Sequence, residues 1–487
     1  MIFFRKTQNL VSVLVFFSVC LSSCNHHPVH LGPMRMENLQ DEEFFFRGSE
    51  CIFDHPLSLD EIIEIAVKNN LDLMVKAQQV AINCEMSSQE YLKMLPNMGA
   101  NYRYAERDRN TASFSQSLIP GVPPAPLSIS RSRSINTWSV DFSWTVLDFG
   151  LAYFRWHQEA NRTLMQRLQY ERLEQDLILQ VVRAYWKAVA AKKAFEGAKE
   201  VLSRVYSQRE LYRRKRGLKI ISDLVGLAAE NRLVDVELDL VRYERLYHES
   251  LMELSQSMGV PPSSLFEMVI PEIEFEDIIV GDIETLQQMA LTHRPELYEK
   301  DVEELVTLDE INAATLELFP NLRIFAAPYY DSNFFLLFNK WFEIGLQTAW
   351  NLLSLPYRYK HRDVVIQERV LVRKQRIAVA LAVLTQVNLS NLMLKDYIRE
   401  YEVAREAFRV KSELAKAFRK RRDKGVYSEA ETLIYDSDAY FAGIELLQSF
   451  ANIQATLEQL NNSIGMPLYY SANSDPEEEY EICSESY

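Results

Sequence analysis

The second half of this 487-residue chain repeats its first. Ala66 to Leu73 (AVKNNLDL) returns as Ala290 to Leu297 (ALTHRPEL), and Leu95-Pro96-Asn97 returns as Phe319-Pro320-Asn321, both 224 positions later. Trp144 answers Trp350 and Gly259 answers Gly465 at a spacing of 206, so the first copy carries 18 extra residues between Pro96 and Trp144. A unit of roughly 200 residues is far longer than a solenoid repeat. The chain therefore reads as one duplicated module of helices and strands folded about a pseudo-symmetry axis.

The N-terminus carries an address. Arg5 and Lys6 precede an apolar run from Leu10 to Val19 that is too short for the ~20 residues of a spanning helix, so residues 1–23 read as a secretory signal peptide. Leu21-Ser22-Ser23-Cys24 resembles the bacterial lipobox, which puts a lipid on Cys24; the plainer alternative is an ordinary signal peptide that contains a cysteine. Asn25 after it resembles lipoproteins sent on to the outer membrane. The formal charge of −15 argues against nucleic acid as a partner. Residues 24–56 read as an irregular lipidated leader, its His26, His27 and His30 as linker rather than metal ligands, and residues 471–487 as an acidic disordered tail. With Cys20 removed and Cys24 acylated, Cys51, Cys84 and Cys483 read as small apolar residues rather than a disulfide framework.

Each repeat opens on a helix. Ser58 and Glu61 form a capping box, and apolar residues at Leu59, Ile62, Ile63, Ala66, Leu73, Ala77 and Val80 carry the helix toward Met94 before Pro96. Asp282 caps the corresponding helix, which stops before Pro320. The rhythm then changes to period 2. Trp138, Val140, Phe142 and Trp144 alternate with Ser139, Asp141 and Ser143, while Phe342, Ile344, Leu346 and Trp350 stand against Glu343, Gln347 and Asn351. Strands are expected at about 97–107, 136–146, 321–330 and 342–352. Ten-residue strands, aromatic on one face and polar on the other, fit a membrane β-barrel with Asp141, Glu343 and Gln347 toward water; the plainer alternative is amphipathic strands of a soluble sandwich. Between two of them, Phe334-Phe335-Leu336-Leu337-Phe338 occupies what should be a polar turn, and reads as a segment that folds inward over a pore or dips into lipid.

The remaining stretches are helical heptads. Leu177, Val181, Ala184, Ala188, Ala191, Phe195, Ala198, Leu202 and Val205 keep 4-3 spacing, and a second run extends from Ala439 to Ile464. Leu151 to Arg216 contains no proline and one glycine, and as a single helix would span ~100 Å at 1.5 Å per residue. Each long helix ends in a basic cluster and a glycine, Arg213 to Arg216 before Gly217 and Arg419 to Lys424 before Gly425, so the spacing predicts two helical hairpins.

In order and in duplicate, these elements resemble the TolC-like bacterial outer-membrane efflux factors, in their lipoprotein branch. The pieces that carry the resemblance are Leu57-Ser58-Leu59-Asp60-Glu61, Asn70-Leu71-Asp72-Leu73, Leu95-Pro96-Asn97, Trp144 to Gly150 (WTVLDFG), the two tips, and Met258-Gly259-Val260-Pro261 with Ile464-Gly465-Met466-Pro467. The resemblance covers residues 57 to 468. It implies repeats at 57–262 and 263–470, mostly α with four strands per chain, and a homotrimer whose twelve strands close a barrel continued by a periplasmic α-helical cylinder. Closure of the barrel asks for the same thing, since no strand edge can stay unpaired in lipid. The implied partners are a periplasmic adaptor, an inner-membrane pump and outer-membrane lipid, with passive conduction for efflux or type I secretion. Glu431, Asp223 and Tyr427 fall at the implied gate, Glu431 as a cation-attracting ring. Here the family pattern breaks: Ile434 stands where a second aspartate is common, and Tyr427 where some members carry arginine. The other reading of Glu431 and Asp223 is helix capping. Arg216, Gly217, Lys424 and Gly425 at the tips read either as dipole partners or as the rim on which the adaptor docks. No phosphate loop, nucleophile elbow or zinc spacing is present, so no catalytic residue, metal or cofactor is expected. The alternative function is a non-conducting lipid-anchored scaffold or adaptor.

Overall fold

The computed structural model describes residues 31–48, 53, 55–113, 118–119, 121, 123, 126–261, 266–271 and 281–469. Cys24, the histidines at 26, 27 and 30, and the acidic tail lie outside these residues. Two compact units separate, a small one formed by residues up to His55 with Val260–Glu267, and a large one holding the rest.

The small unit corrects the expectation of an irregular leader. Leu31–Gly48 is a helix, α1, with an ion pair between Arg35 and Glu42 at 2.6 Å. Met34, Met36, Phe44 and Phe46 are exposed, so among the described side chains α1 shows no buried apolar stripe. That is why the hydrophobic period did not reveal it.

The large unit runs through α2 (Leu59–Asn69), α3 (Leu71–Leu92), β1 (Asn97–Glu106), β2 (Ala112–Ser113), β3 (Ser128–Ile129), β4 (Ser134–Thr145), α4 (Val146–Gly217) and α5 (Asp223–Ser257). The second repeat follows the same plan, with α6 (Ile283–His293), α7 (Pro295–Leu316), β5 (Asn321–Asp331), β6 (Lys340–Ala349), α8 (Leu355–Asp423) and α9 (Glu429–Ile464). The 18 extra residues of the first copy fall between β1 and β4, where β2 and β3 pair as a short ribbon.

The opening helix of each repeat is broken in two, not continuous. Asn70 is extended (φ −68°, ψ 120°) and its side chain caps α3 by accepting from Leu73 N. Arg294 takes the same conformation because Pro295 follows it at the first position of α7. The two breaks seat the two late glycines. A Cβ on Gly259 would lie 2.6 Å from the Asn69 carbonyl oxygen, and one on Gly465 would lie 2.7 Å from that of His293. Both glycines also need positive φ, +67° and +79°, to stop α5 and α9 there.

Helix α4 has 72 residues and α8 has 69, about 108 Å and 104 Å of rise. Tertiary packing supplies most of the stability of such helices. The N-terminal half of α4 runs beside α3 and α7, through Lys76 Nζ to Gln166 at 2.7 Å and Gln169 Nε2 to Glu299 at 2.6 Å. Its C-terminal half runs beside α5 and α9. The heptad residues Leu177, Val181, Ala184, Ala188, Ala191, Ala198 and Val205 are all buried on this seam. Small alanines bring the backbones close, and Ala198, Val205, Leu233, Leu240 and Leu433 form one core cluster uniting the two hairpins.

Cysteine usage also departs from expectation. Cys84 on α3 is disulfide-bonded, and every other cysteine of the chain lies outside the described residues.

Candidate functional site: a two-faced sheet and two hairpin tips

Strands β1, β4, β5 and β6 form one antiparallel sheet in that order. The register places Met98 opposite Phe142, Phe142 opposite Ala326, and Ala326 opposite Ile344. A second apolar row joins Trp144, Ile324 and Leu346, and a third joins Tyr102, Trp138 and Tyr330. Trp138 stacks on Tyr330 with centroids 6.0 Å apart. These rows share one face, and Met98, Phe142, Ile344 and Leu346 are exposed on it. Apolar side chains left exposed in rows across four strands need a non-aqueous neighbour.

The opposite face is polar. Asp141 accepts hydrogen bonds from Asn101 Nδ2, from Ser139 Oγ at 3.0 Å and from Tyr329 OH at 3.3 Å. Glu343 lies opposite Ala327 and Gln347 opposite Arg323 on this same face. The structure thus brings Asp141, Glu343 and Gln347 to one side of the sheet. Gly345 is required there: a Cβ would strike the ring of Phe325, which lies across it. Trp350 departs from the expected strand. β6 ends at Ala349, because Asn351 turns the chain into a 3-10 turn over Leu352–Ser354, with Ser354 Oγ donating to Asn351 O at 2.8 Å. The four strands begin and end up to three residues from the expected limits, since strand ends follow the pairing and not the alternation.

At the far end of the long helices lie the tips. Leu218 and Lys424 are C-caps, and Ser222 and Ser428 are N-caps, each pair 206 apart. The closing hydrogen bonds match as well: Lys219 N to Arg216 O and Ile220 N to Lys215 O in one, Gly425 N to Arg422 O and Val426 N to Arg421 O in the other. The residue with positive φ is Gly425 (+75°) in the second tip but Lys219 (+54°) in the first. Gly217 therefore does not terminate its helix. It is the last helical residue of α4, and a lysine carries the left-handed turn at a cost of ~1–2 kcal/mol.

This register sets the acidic partners. Asp223 corresponds to Glu429, each the first helical residue, whereas Glu431 corresponds to Val225. Glu431 closes a capping box: its carboxylate accepts from Ser428 N at 2.9 Å and Ser428 Oγ at 2.8 Å, while Glu431 N donates to Ser428 Oγ. These bonds hold its pKa below the usual carboxylate range, backbone contribution first. Within one chain Glu431 is thus a charged cap. Tyr427 packs on Phe418 with centroids 4.6 Å apart, and Phe418 stacks on Tyr435 at 3.7 Å.

The tip cations divide into two groups. Arg216 pairs with Glu230 across the first hairpin at 3.0 Å. Arg422 pairs with Glu429 at 2.8 Å, and Arg419 with Asp436 at 2.7 Å. Arg204, from the other hairpin, reaches both Glu429 and Asp436 at 3.0 Å. Lys424, Gly425 and Gly217 stay exposed at the turns. The tips also have an apolar side, absent from the charge pattern: Leu218, Ile220, Leu224, Val225 and Val426 are 55–80% exposed. Their clustering around a turn, where polar residues are usual, was the available signal. Among the described residues no group of three His, Cys, Asp or Glu is placed to hold a metal ion.

No family model and no curated protein matches the sequence. Solved structures do. The chain is similar to the Campylobacter jejuni CmeC outer membrane channel (TM-score 0.71, 13% identity, 88% of this chain and 89% of that one). It is also similar to the open state of the Neisseria gonorrhoeae MtrE outer membrane channel (0.64, 16%, 84% and 89%) and to the Vibrio cholerae outer membrane protein VceC (0.62, 12%, 84% and 96%). At these identities the likeness is one of fold, and it spans nearly the whole of both chains: the chain has the fold of the TolC-like outer-membrane channels.

Proposed function

We propose that this chain is the outer-membrane channel component of a tripartite efflux or type I secretion system. Three copies form a closed twelve-stranded barrel above a helical conduit that conducts passively from periplasm to exterior. The observation that carries this reading is the four-stranded sheet itself. It exposes an apolar face, leaves β1 and β6 as open edges, and is too narrow to close alone. Exposed apolar residues on α3 (Val75, Ile82) and α8 (Ile377, Leu381, Leu392) supply further surface for neighbouring copies.

In this assembly Asp141, Glu343 and Gln347 line the barrel lumen, and Glu431, Asp223 and Tyr427 stand at the inner mouth. The exposed apolar residues and the free turn residues Gly217, Lys424 and Gly425 receive an adaptor, which links the channel to an inner-membrane pump. Arg216, bound to Glu230, shapes the tip rather than meeting the adaptor directly. Cys24 carries a lipid that adds a second anchor to the barrel.

Native mass spectrometry of detergent-extracted membranes tests the assembly. Three copies per particle are expected; a monomer with intact fold would contradict the closed barrel.

A further inference from the structure

The connection between β5 and β6 carries a feature that conduction does not use. Phe334, Leu337 and Phe338 are 86%, 86% and 75% exposed. They are held out by a rigid base. Asn333, only 6% exposed, accepts from Ser132 N at 2.9 Å and Ser132 Oγ at 3.1 Å, and donates from Nδ2 to Ser130 O at 3.1 Å. Phe334 N donates to Ser132 Oγ at 3.0 Å, and Asn339 Nδ2 closes the loop onto Asp331 O at 2.7 Å. The described residues of both connections are thereby hydrogen-bonded to one another at the base of the apolar loop. Leaving large apolar side chains in water is unfavourable relative to burying them.

Two neighbouring features indicate what covers them. On the apolar face just below, Trp138 stacks on Tyr330 in the row that includes Tyr102, an aromatic band of the kind that sits at a membrane–water interface. Asp331 at the loop base is acidic, its carboxylate accepting from Asn333 N at 2.8 Å, but the facing connection reverses the charge of the chain. Segment 107–133 holds Arg107, Arg109, Arg131 and Arg133 against one acidic residue, Asp108, in a protein of net charge −15. Arg131 and Arg133 flank Ser132, the residue that grips Asn333, and all four arginines are exposed.

We propose that this outer-end body is a lipid-binding foot: Phe334, Leu337 and Phe338 enter the acyl region of the surrounding leaflet while Arg109 and Arg131 hold phosphorylated lipid headgroups. Apolar knobs beside cations match a layer whose phosphates lie directly above its hydrocarbon. The foot rests on the barrel reading, because only a membrane-embedded sheet brings the loop to a lipid surface.

The test places the photo-cross-linker p-benzoylphenylalanine at Leu337, and separately at Val140 on the apolar face of β4, in cells expressing the full chain. Both positions should yield lipid adducts by mass spectrometry. Arg109→Glu with Arg131→Glu should lower the Leu337 adduct several-fold and leave the Val140 adduct unchanged. Lipid adducts at Val140 with none at Leu337 would overturn the foot and spare the barrel. A Leu337 adduct to a second copy of the chain would make the loop a plug instead, and an adduct indifferent to the arginine reversals would remove the headgroup site. No lipid adduct at Val140 would overturn the barrel, and the foot with it.

Discussion

Arg204 on α4 donates a 3.0 Å hydrogen bond to Asp436 on α9, so the first hairpin is fastened to the second through a carboxylate only 6% exposed. Arg419 holds the other oxygen of that carboxylate, and Arg204 reaches on to Glu429. Asn462 Nδ2 donating to Gln175 O at 2.8 Å and Tyr440 OH donating to Ala194 O fasten the same two helices at other levels.

Cutting that fastening should loosen the inner mouth. Asp436→Ala takes the shared carboxylate from Arg204 and Arg419, but water still reaches both cations and Arg204 keeps Glu429, so the stability loss should be modest, ~1 kcal/mol. Single-channel conductance of Asp436→Ala and of Arg204→Ala should both exceed wild type, and the double variant should add little to either. Unchanged conductance in both would place the constriction elsewhere.

Glu431 separates capping from selectivity. Glu431→Ala removes the box around Ser428 and should cost ~0.5–2 kcal/mol. Glu431→Gln keeps an acceptor for Ser428 while discarding the charge, so it should cost less in stability yet lose cation selectivity equally. Selectivity retained in Glu431→Gln, measured as reversal potential in a salt gradient, would leave Glu431 as a cap alone.

Glu458 on α9 makes stability depend on pH. It is fully buried, accepts one long bond of 3.3 Å from Leu468 N, and its Oε1 has no partner among the described residues. Burial pushes its pKa from 4.5 up to about 7. The folded state therefore holds a proton that the unfolded state releases. This term leaves stability untouched below about pH 4 and removes about 3 kcal/mol as pH rises through the folded pKa. Glu458→Gln should unfold at a higher temperature than wild type at pH 8, with the difference shrinking toward pH 5. A difference that grows on acidification would refute the assignment.

The sheet faces are tested by neighbours on β6. Ile344→Arg puts a charge in the row Met98–Phe142–Ala326–Ile344 and should cost ~2–4 kcal/mol near the membrane midplane. Glu343→Arg, one residue away on the polar face, should insert normally and shift ion selectivity toward anions. Equal insertion of both variants, read as yield of protease-resistant trimer, would show that the faces are exchanged or that the sheet is not in lipid.

Much of this fold was legible because its signals are periodic. Alternation at Trp138 to Trp144 and heptads from Leu177 to Val205 follow directly from what each face touches. The errors lie where one local bond outvotes a period. Asn70 breaks a helix by capping the next one, Asn351 ends β6 before Trp350, and Lys219 takes a left-handed turn that Gly217 was expected to supply. The tips were hardest. Aligning Gly217 with Gly425 would pair Asp223 with Glu431, two residues out of step, whereas the cap serines Ser222 and Ser428 give the true register. The Arg204–Asp436 link spans 232 residues, and no spacing rule announces it.

Planar-bilayer recording of the purified full-length chain tests the conduit most directly. Discrete current steps are expected, scaling with bulk salt conductivity and rising in Asp436→Ala. Protein that inserts as a trimer yet passes no current, in wild type and in Asp436→Ala alike, would contradict the account.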